Sequence, residues 1–255
     1  MCTVTVAGLA ARGDGRAGLR VVCNRDESRL RPAAAPPRLV AAGARTALMP
    51  MDPPSGGTWA AGTDAGLALC LLNANPPGRR AEGRSGARSR GAIVPAAAAG
   101  GSVEEALALT RSLPLEAFEP FTLLIADAAR LAVLWWDGRA ASLERPGPVH
   151  AARMFTSSGL GDALVTPARR ALFERMVLGA AGAPAAVDAF HRHQWAHAPE
   201  RSVQMSRAEA RTVCRTVLEV SARGVSVRYA EVREDGQIGA GVERLIGVRE
   251  GALVA

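Results

Sequence analysis

Alternating hydrophobic and polar residues near the start of the chain predict a β-hairpin. The stretch CTVTVAGLA at residues 2–10 is rich in Val and Thr, and LRVVC at residues 19–23 follows the turn-forming segment ARGDGRAG. The second apolar run ends in the polar tetrapeptide NRDE. We therefore expect two antiparallel strands with a polar cluster at the open end of the hairpin.

The same patterning predicts three further hairpins. GTWAAGT pairs with GLALCLLN around TDAG, FTLLIAD pairs with RLAVLWWDG, and RTVCRTVLEV pairs with VSVRYAEV. ARMFTSS is an additional strand, and the tail returns to short strands. Residues 26–54 are predicted to form a polar, proline-rich loop, and residues 75–90 an arginine-rich one.

Helical patterns lie between these groups of strands. SVEEALALTRSL begins with Ser102 as N-cap and has Glu105 three residues on, which is a capping-box pattern. TPARRALFERMVLGA is capped by Thr166 with Pro167 at its first position, and PAAVDAFHRHQW forms another helix. Hairpins without crossover helices predict a layered α+β fold. No repeat or linker divides the chain, so we expect one domain over residues 1–255.

Composition narrows the classes of function. The formal net charge is +7, and all 31 basic residues are arginine, so Schiff-base and phosphate-loop chemistry that needs lysine is excluded. The arginines are interleaved with acids and few aromatic residues accompany them, so nucleic-acid binding is not expected. The lysine-free, alanine- and glycine-rich composition is typical of a GC-rich bacterial coding sequence.

Targeting signals and cysteine usage favour a cytoplasmic protein with reduced thiols. No run of about 18 apolar residues predicts a membrane span, and no secretory signal is recognisable. The four cysteines are widely spaced without a CxxC pair, which argues against a disulfide framework or a zinc site. The expected partner is a small-molecule substrate or ligand, and the oligomeric state is open.

Counting residues back from the predicted turn places the second residue of the chain close to the NRDE run. With the turn centred on GDG, residues facing each other have numbers that sum to about 27 to 29, so Cys2 faces Arg25, Asp26 or Glu27. Removal of Met1 would give Cys2 both a thiol and a free α-amine, which can act as nucleophile and base. A nearby arginine is expected to lower the pKa of the thiol. The alternative is a chance cysteine beside a salt-bridged turn.

Four segments in order resemble a known family. MCTVTV, NRDES, SGGTWAAGTDAGLALCLLN and SRG are similar to the NRDE family, also called the transport and Golgi organisation 2 family, and residues 202–220 resemble its C-terminal segment. The resemblance implies a four-layer αββα sandwich of two antiparallel sheets, as in N-terminal-nucleophile hydrolases. It implies no settled reaction, because the family is linked to secretory organisation, to lipid and acyl-CoA metabolism and to haem handling.

The first residues also resemble choloylglycine hydrolases and penicillin V acylases, which begin with Met-Cys-Thr and use the processed cysteine to attack an amide. That resemblance implies catalytic roles for Cys2, Arg25 and Asp26, and an oxyanion-binding role for Asn73, which alternatively caps the turn before NPP. Their second asparagine has no counterpart, since Ser157 and Ser158 occupy the equivalent stretch. Their late arginine corresponds to Arg211 or Arg215, and the sequence does not decide between them.

Two hypotheses from different classes follow. In the first, the protein is a hydrolase or acyltransferase for a small amide, ester or thioester. In the second, it is a carrier of an amphipathic ligand such as an acyl-CoA or haem, and the arginines of residues 78–90 contact the ligand's anionic groups in either case. The predicted catalytic residues are Cys2, Arg25, Asp26 and Asn73, and the predicted substrate-binding residues are Asn24, Glu27, Trp59, Ser158, Arg211 and Arg215.

No metal site or resident cofactor is predicted. His193 and His197 have the i, i+4 spacing of a helical metal site, but HRHQWAH contains no acidic or cysteine ligand, so we expect these histidines and His191 to be solvated. Under the carrier hypothesis one of the three, or Met205, is the axial ligand of haem. Trp59 either packs in the core or lines the pocket, and Trp135 and Trp136 point to opposite faces of their strand.

Overall fold

The computed structural model describes residues 2–12, 16–76 and 88–249. The turn residues 13–15 and most of the predicted arginine-rich loop, residues 77–87, lie outside this range, as does Met1. In the described part, the strands form two antiparallel sheets, here called the first and second sheet.

The first sheet has six strands in the order β10-β1-β2-β11-β12-β13. Their bounds are β1 Cys2–Arg12, β2 Arg16–Ser28, β10 Arg153–Thr156, β11 Ala210–Ser221, β12 Gly224–Glu231 and β13 Val242–Gly247. The second sheet has seven strands in sequence order from β3 to β9. Their bounds are β3 Ala35–Ala42, β4 Arg45–Met51, β5 Ala60–Thr63, β6 Ala68–Asn73, β7 Phe121–Ala126, β8 Arg130–Trp136 and β9 Ala141–Pro148.

Within the described ranges, four α-helices cover the outer faces of the two sheets. Helices α1 (Ile93–Ala97) and α2 (Val103–Arg111) pack on the second sheet through one apolar cluster, and α3 (Asp162–Met176) and α4 (Pro184–His191) pack on the first sheet through another. A third cluster fills the space between the sheets. The layers are therefore helix, sheet, sheet, helix, which confirms the αββα expectation.

Because side chains alternate along a strand, one strand contributes residues both to the cluster between the sheets and to a cluster under the helices. Trp135 packs on the cluster between the sheets, whereas its neighbour Trp136 packs under the helices, as the sequence predicted. Strands β5 and β7 are buried at every position, because both faces of the second sheet are covered. Their residues accordingly read as continuous apolar runs rather than as alternating ones.

The predicted N-terminal hairpin forms with the expected register. Cys2 faces Arg25, and the pairing continues without a shift to Leu9 opposite Gly18. Strand β11 pairs on the other side of β2 and places Cys214 opposite Arg25, next to a bulge. The start of β1 therefore lies at the same end of the sheet as NRDE.

Three predicted elements differ in the structure. Residues 26–54 contain β3 and β4 rather than a continuous loop, and β9 was not predicted. Helix α3 begins at Asp162, so Thr166 is not its N-cap and Pro167 lies inside the helix. The Thr166 hydroxyl donates instead to the Asp162 carbonyl oxygen, one turn earlier.

Helix α2 begins as its sequence predicts. The Ser102 hydroxyl accepts a hydrogen bond from the Glu105 backbone N–H, and the Glu105 carboxylate accepts one from the Gly101 N–H. The longest helix in the described part of the chain has 15 residues, and none there combines the length and the apolar character that a bilayer span requires.

Candidate active site

A cavity of about 330 Å³ opens between the two sheets where β1 begins. The first sheet contributes the residues at the foot of the N-terminal hairpin, and the second sheet contributes the end of β6 and the segment before β5. The cavity is lined by Cys2, Arg25, Asp26, Glu27, Arg31, Asp52, Ser55, Thr58, Trp59, Leu71, Asn73, Arg88, Ser89, Arg90, Gly91 and Glu119.

Cys2 lies in the cavity wall with its backbone fixed on the side of β10. The Cys2 N–H donates to the Ser157 hydroxyl over 3.1 Å, and the Ser157 N–H donates to the Cys2 carbonyl oxygen over 2.9 Å. Only 4% of Cys2 is exposed. The nitrogen that would become the α-amine after removal of Met1 is thus held by a defined partner.

The surroundings of the Cys2 thiol disfavour its thiolate form. A hydrogen bond with the Cys23 thiol, together with burial, raises the pKa of Cys2 well above its ordinary value. The predicted lowering of this pKa by Arg25 is therefore wrong. The reason is that Arg25 directs its guanidinium to carboxylates, while buried thiols surround the sulfur.

Arg25 belongs to a charged network that joins the sheets. Its Nη2 donates to Asp52 Oδ1 over 2.9 Å and to Glu27 Oε2 over 3.0 Å. Arg31 binds both Asp52 oxygens, from Nε over 2.8 Å and from Nη2 over 2.5 Å. The guanidinium carbon of Arg25 also lies 4.5 Å from the ring centre of Trp59. Asp52, directly after β4 of the second sheet, thus fixes Arg25 of the hairpin and Arg31 just beyond it.

The ionisation of Asp52 follows from these contacts. Burial alone would raise the pKa of Asp52, but hydrogen bonds from Arg31 and Ser55 and the charge of Arg25 hold it well below its ordinary value. Asp52 is therefore an anion at neutral pH, and it carries charge that offsets part of both guanidinium groups.

Asp26 is buried and, like Cys2, lies in the cavity wall. It accepts a hydrogen bond from the Thr212 hydroxyl over 2.6 Å. Burial raises the pKa of Asp26, while the charge of Arg169 opposes that rise. Arg169 is itself 1% exposed and donates to the hydroxyls of Thr3 and Thr156, so it ties α3 to β1 and β10 beneath the cavity.

Asn73 and Trp59 come from the second sheet. Asn73 is the last residue of β6, is half-buried and lines the cavity. Trp59 is buried in the core between the sheets and lines the cavity as well, and its Nε1–H donates to the Thr216 hydroxyl over 3.3 Å. The two alternatives for Trp59, core or pocket, are therefore both true.

Four predicted substrate-binding residues do not line this cavity. Asn24 and Arg215 face the helices, because they alternate with Arg25 and Cys214 along their strands. Asn24 donates to the carbonyl oxygens of His191 and Val203. The other three make their contacts elsewhere, Arg215 with Asp188, Ser158 with the N–H of Leu160, and Arg211 with Glu234.

The histidine prediction is wrong for His191. Its ring is buried between Asn24 Oδ1 and Thr5 Oγ1, at 3.1 and 2.9 Å. Burial, with the charge of Arg215, lowers the pKa of His191 well below its ordinary value, so the ring is neutral. Helix α4 ends at His191, and His197 beyond it is exposed. In the described residues no group of three His, Cys, Asp or Glu side chains could hold a metal ion.

Several residues of the cavity were not predicted from the sequence. Asp52, Arg31 and Glu119 lie outside the motifs that suggested the site, whereas Ser55 and Arg90 lie in segments that were noted only as part of the resemblance. The Ser55 hydroxyl donates to Asp52 Oδ2 over 2.5 Å. An aspartate followed by Pro-Pro-Ser-Gly-Gly before a buried strand was the available signal.

Comparisons with known proteins agree with this architecture. An N-acylethanolamine-hydrolyzing acid amidase (NAAA) ortholog from Caenorhabditis elegans superimposes with a TM-score of 0.57 and 14% identity, over 86% of this chain and 92% of that chain. A C2A mutant of the conjugated bile acid hydrolase from Clostridium perfringens superimposes with a TM-score of 0.51 and 12% identity, over 98% of both chains. At these identities the likeness establishes the fold, which is that of N-terminal-nucleophile hydrolases.

Sequence comparison supplies the family. No curated protein matches the chain. A family model, Transport and Golgi organisation 2, matches residues 1–168, which include the N-terminal hairpin, NRDE and most of the cavity. The chain therefore belongs to the Transport and Golgi organisation 2 family.

Proposed function

We propose that the protein is a cysteine hydrolase or acyltransferase of the N-terminal-nucleophile type, acting on a small amide, ester or thioester. The observation that carries the proposal is the place of Cys2, at the start of β1 in the wall of a cavity that Arg25, Asp26 and Asn73 also line. The two similar structures are those of an amidase ortholog and a bile acid hydrolase, and they support the same class of reaction.

The raised pKa of Cys2 sets how the nucleophile is activated. A neutral thiol must lose its proton as it attacks, so a base is needed next to it. Removal of Met1 supplies that base, because the Cys2 nitrogen beside Ser157 becomes an α-amine with an ordinary pKa of about 7.7–8.0. Directly or through one water molecule, the amine takes the thiol proton.

The proposed reaction has two balanced steps. The Cys2 sulfur bonds to the substrate carbonyl carbon, the bond from that carbon to the leaving nitrogen, oxygen or sulfur breaks, and the protonated amine returns its proton to the leaving group. In the second step water, or a second amine or thiol, gives a proton to the α-amine and bonds to the thioester carbon. The bond from that carbon to the Cys2 sulfur breaks, and the protonated amine returns the proton to the sulfur, which restores the thiol. The Asn73 amide donates to the oxyanion in both steps.

Asp26 and Arg25 have supporting roles in this proposal. Asp26 lies behind Cys2, where a carboxylate stabilises the ammonium form of the α-amine. Arg25, the cross-strand neighbour of Cys2, is held by Asp52 and Glu27 and stacked on Trp59, so it fixes the cavity wall beside the thiol.

The test compares four proteins on the 4-nitrophenyl ester and the 4-nitroanilide of hexanoic acid. The protein with a C-terminal tag should hydrolyse them, Cys2→Ala should lose the activity, and Asn73→Ala should lose about 10²–10³ in kcat. A protein with an uncleavable N-terminal extension keeps Cys2 but has no free α-amine, and should be inactive. Full activity of the extended protein would overturn the proposal.

The carrier alternative has one observation in its favour, which is the elevated pKa of the Cys2 thiol. A buried, protonated thiol suits a binding pocket as well as a reaction. For haem as the ligand the geometry is less suitable, because none of His191, His193, His197 or Met205 is among the described residues that line the cavity. Saturable binding of an acyl-CoA by Cys2→Ala, with no turnover by the wild type, would favour the carrier.

A further inference from the structure

Arg90 lies at the cavity, where hydrogen bonds hold both its backbone turn and its guanidinium group. It begins a short 3-10 turn, Arg90–Ala92, whose N-cap Ser89 accepts a hydrogen bond from the Gly91 N–H. The Arg90 Nη1 donates to the Pro120 carbonyl oxygen over 2.9 Å, and the residue is half-buried. A side chain fixed in this way retains little rotational freedom to lose on binding a ligand.

The position of this turn depends on a close backbone contact. The Thr58 N–H donates to the Gly91 carbonyl oxygen over 3.0 Å, and a Cβ atom added to Gly57 would lie 2.5 Å from the same oxygen. SGGTW and SRG are therefore packed against each other, and only glycine at residue 57 permits this approach. The contact sets the distance between Arg90 and the segment before β5 that carries Trp59.

The charges around Arg90 differ from those around the other buried arginine of the cavity. Arg25 forms ion pairs with Asp52 and Glu27, whereas the only side-chain hydrogen bond of Arg90 within the described residues goes to a neutral carbonyl group. Burial lowers the pKa of Arg90, and Glu119 opposes that effect without coming within ion-pair distance of it in the described structure. A guanidinium group in this situation has donors left for an anion.

We propose that Arg90 binds an oxyanion group of the substrate, a carboxylate or a phosphate, while Cys2 attacks the carbonyl group at the other side of the cavity. This inference rests on the proposed function for the reaction, but not for the binding itself. The planar guanidinium group matches either anion through paired hydrogen bonds. Glu119, which lines the same cavity and has an unpartnered buried Oε1, opposes anions and limits their affinity.

Equilibrium binding tests the proposal without any need for turnover. Titration calorimetry with hexanoate, hexyl phosphate and neutral hexanamide compares three head groups on one chain. The wild type should bind at least one anion about 10- to 100-fold more tightly than hexanamide, and Arg90→Gln should abolish that preference. Glu119→Gln should tighten anion binding, and the exposed Arg139→Gln serves as the matched control.

The outcomes separate the inference from the proposed function. Preference for hexanoate identifies a carboxylate site, and preference for hexyl phosphate identifies a phosphate site. Equal or undetectable binding of all three head groups, or an anion preference that survives in Arg90→Gln, overturns the inference even if the ester is hydrolysed. Anion preference that requires Arg90, in a protein without hydrolytic activity, keeps the inference and removes the proposed reaction.

Discussion

At the scale of single residues, Asp52 has the largest influence on the cavity. It joins Arg25 of the N-terminal hairpin, and Arg31 just beyond it, to the opposite sheet, and its carboxylate is buried. Removing one partner of a buried ion pair leaves the other charge uncompensated, and this strongly destabilises the folded protein. Both Arg25 and Arg31 would lose a partner if this carboxylate were removed.

We expect Asp52→Asn to lower stability in a pH-dependent way. The folded-state pKa of Asp52 is depressed, so its stabilising contribution is present above the unfolded pKa of about 3.9 and is lost as the pH falls through the lower folded value. Urea unfolding should show a constant difference from the wild type between pH 7 and 5, which shrinks below pH 4. Asp127→Asn, at the more exposed pair with Arg130, should change stability by less than about 1 kcal/mol. A difference that grows on acidification would contradict the assignment.

Gly57 supports a second prediction at this scale. Gly57→Ala places a Cβ against the Gly91 backbone, so one of the two segments must move, and we expect a loss of about 1–3 kcal/mol together with weaker anion binding at Arg90. Gly8→Ala is the matched control, because nothing lies within 4 Å of its added Cβ. Equal effects of the two substitutions in thermal unfolding would show that the close approach is not important.

At the scale of elements, β2 and α4 are joined by one buried polar network. Asn24 donates to two carbonyl oxygens on the helix side, and His191 is bonded to Asn24 and Thr5. The NRDE residues thus have two different roles. Asn24 fixes the strand to the helices, whereas Arg25, Asp26 and Glu27 line the cavity. The alternation of side chains along β2 separates Asn24, on the helix side, from Arg25 and Glu27, on the cavity side.

The depressed pKa of His191 predicts how this network responds to acid. The unfolded histidine binds a proton below pH about 6.5 whereas the folded one does not, so stability should fall by up to about 1.4 kcal/mol per pH unit below that value. His191→Gln should flatten the dependence of unfolding free energy on pH between 6.5 and 5. The exposed His197→Gln should leave the dependence as it is in the wild type. A slope unchanged in His191→Gln would refute the explanation.

Sequence patterns predicted β1, β2, β6, β7, β8, β11 and β12, but missed β3, β4 and β9 of the second sheet. β3 and β9 are the two edges of that sheet. Both edge strands contain proline and are largely exposed, so their pattern is weak. The start of α3 was misplaced because Thr-Pro is a typical start signal, yet Asp162 accepts hydrogen bonds from Ser158 and Asn75 and occupies that place.

At the scale of the whole molecule, the site depends on how the two sheets face each other. Hairpin arithmetic placed Cys2 beside Arg25, because a hairpin register is local. Asp52, Ser55 and Glu119 come from other parts of the chain, and their approach depends on the stacking of the sheets, which no local pattern encodes. The hairpin part of the site was therefore predictable from the sequence, whereas of the opposite wall Trp59 and Asn73 were predicted, Asn73 through the resemblance to choloylglycine hydrolases, and the three residues just named were not.

The core between the sheets should be sensitive to loss of volume. Leu124 is 1% exposed in this core, so Leu124→Ala should cost about 2–5 kcal/mol by the loss of burial and the cavity that remains. Leu143, on the exposed edge strand β9, is 38% exposed and provides the control. Chemical denaturation should give at least a twofold larger loss for Leu124→Ala than for Leu143→Ala. Equal losses would mean that the sheets do not pack as described.

The state of Cys2 in the purified protein tests the central claim most directly. The protein is incubated with 4-nitrophenyl hexanoate, quenched in acid and analysed by intact mass and by mapping of the N-terminal peptide. We predict a chain that lacks Met1 and carries one acyl group on Cys2, with no acyl group on Cys23, Cys70 or Cys214, which are not among the described residues that line the cavity. Retention of Met1, or acylation unchanged in Cys2→Ala, would contradict the account.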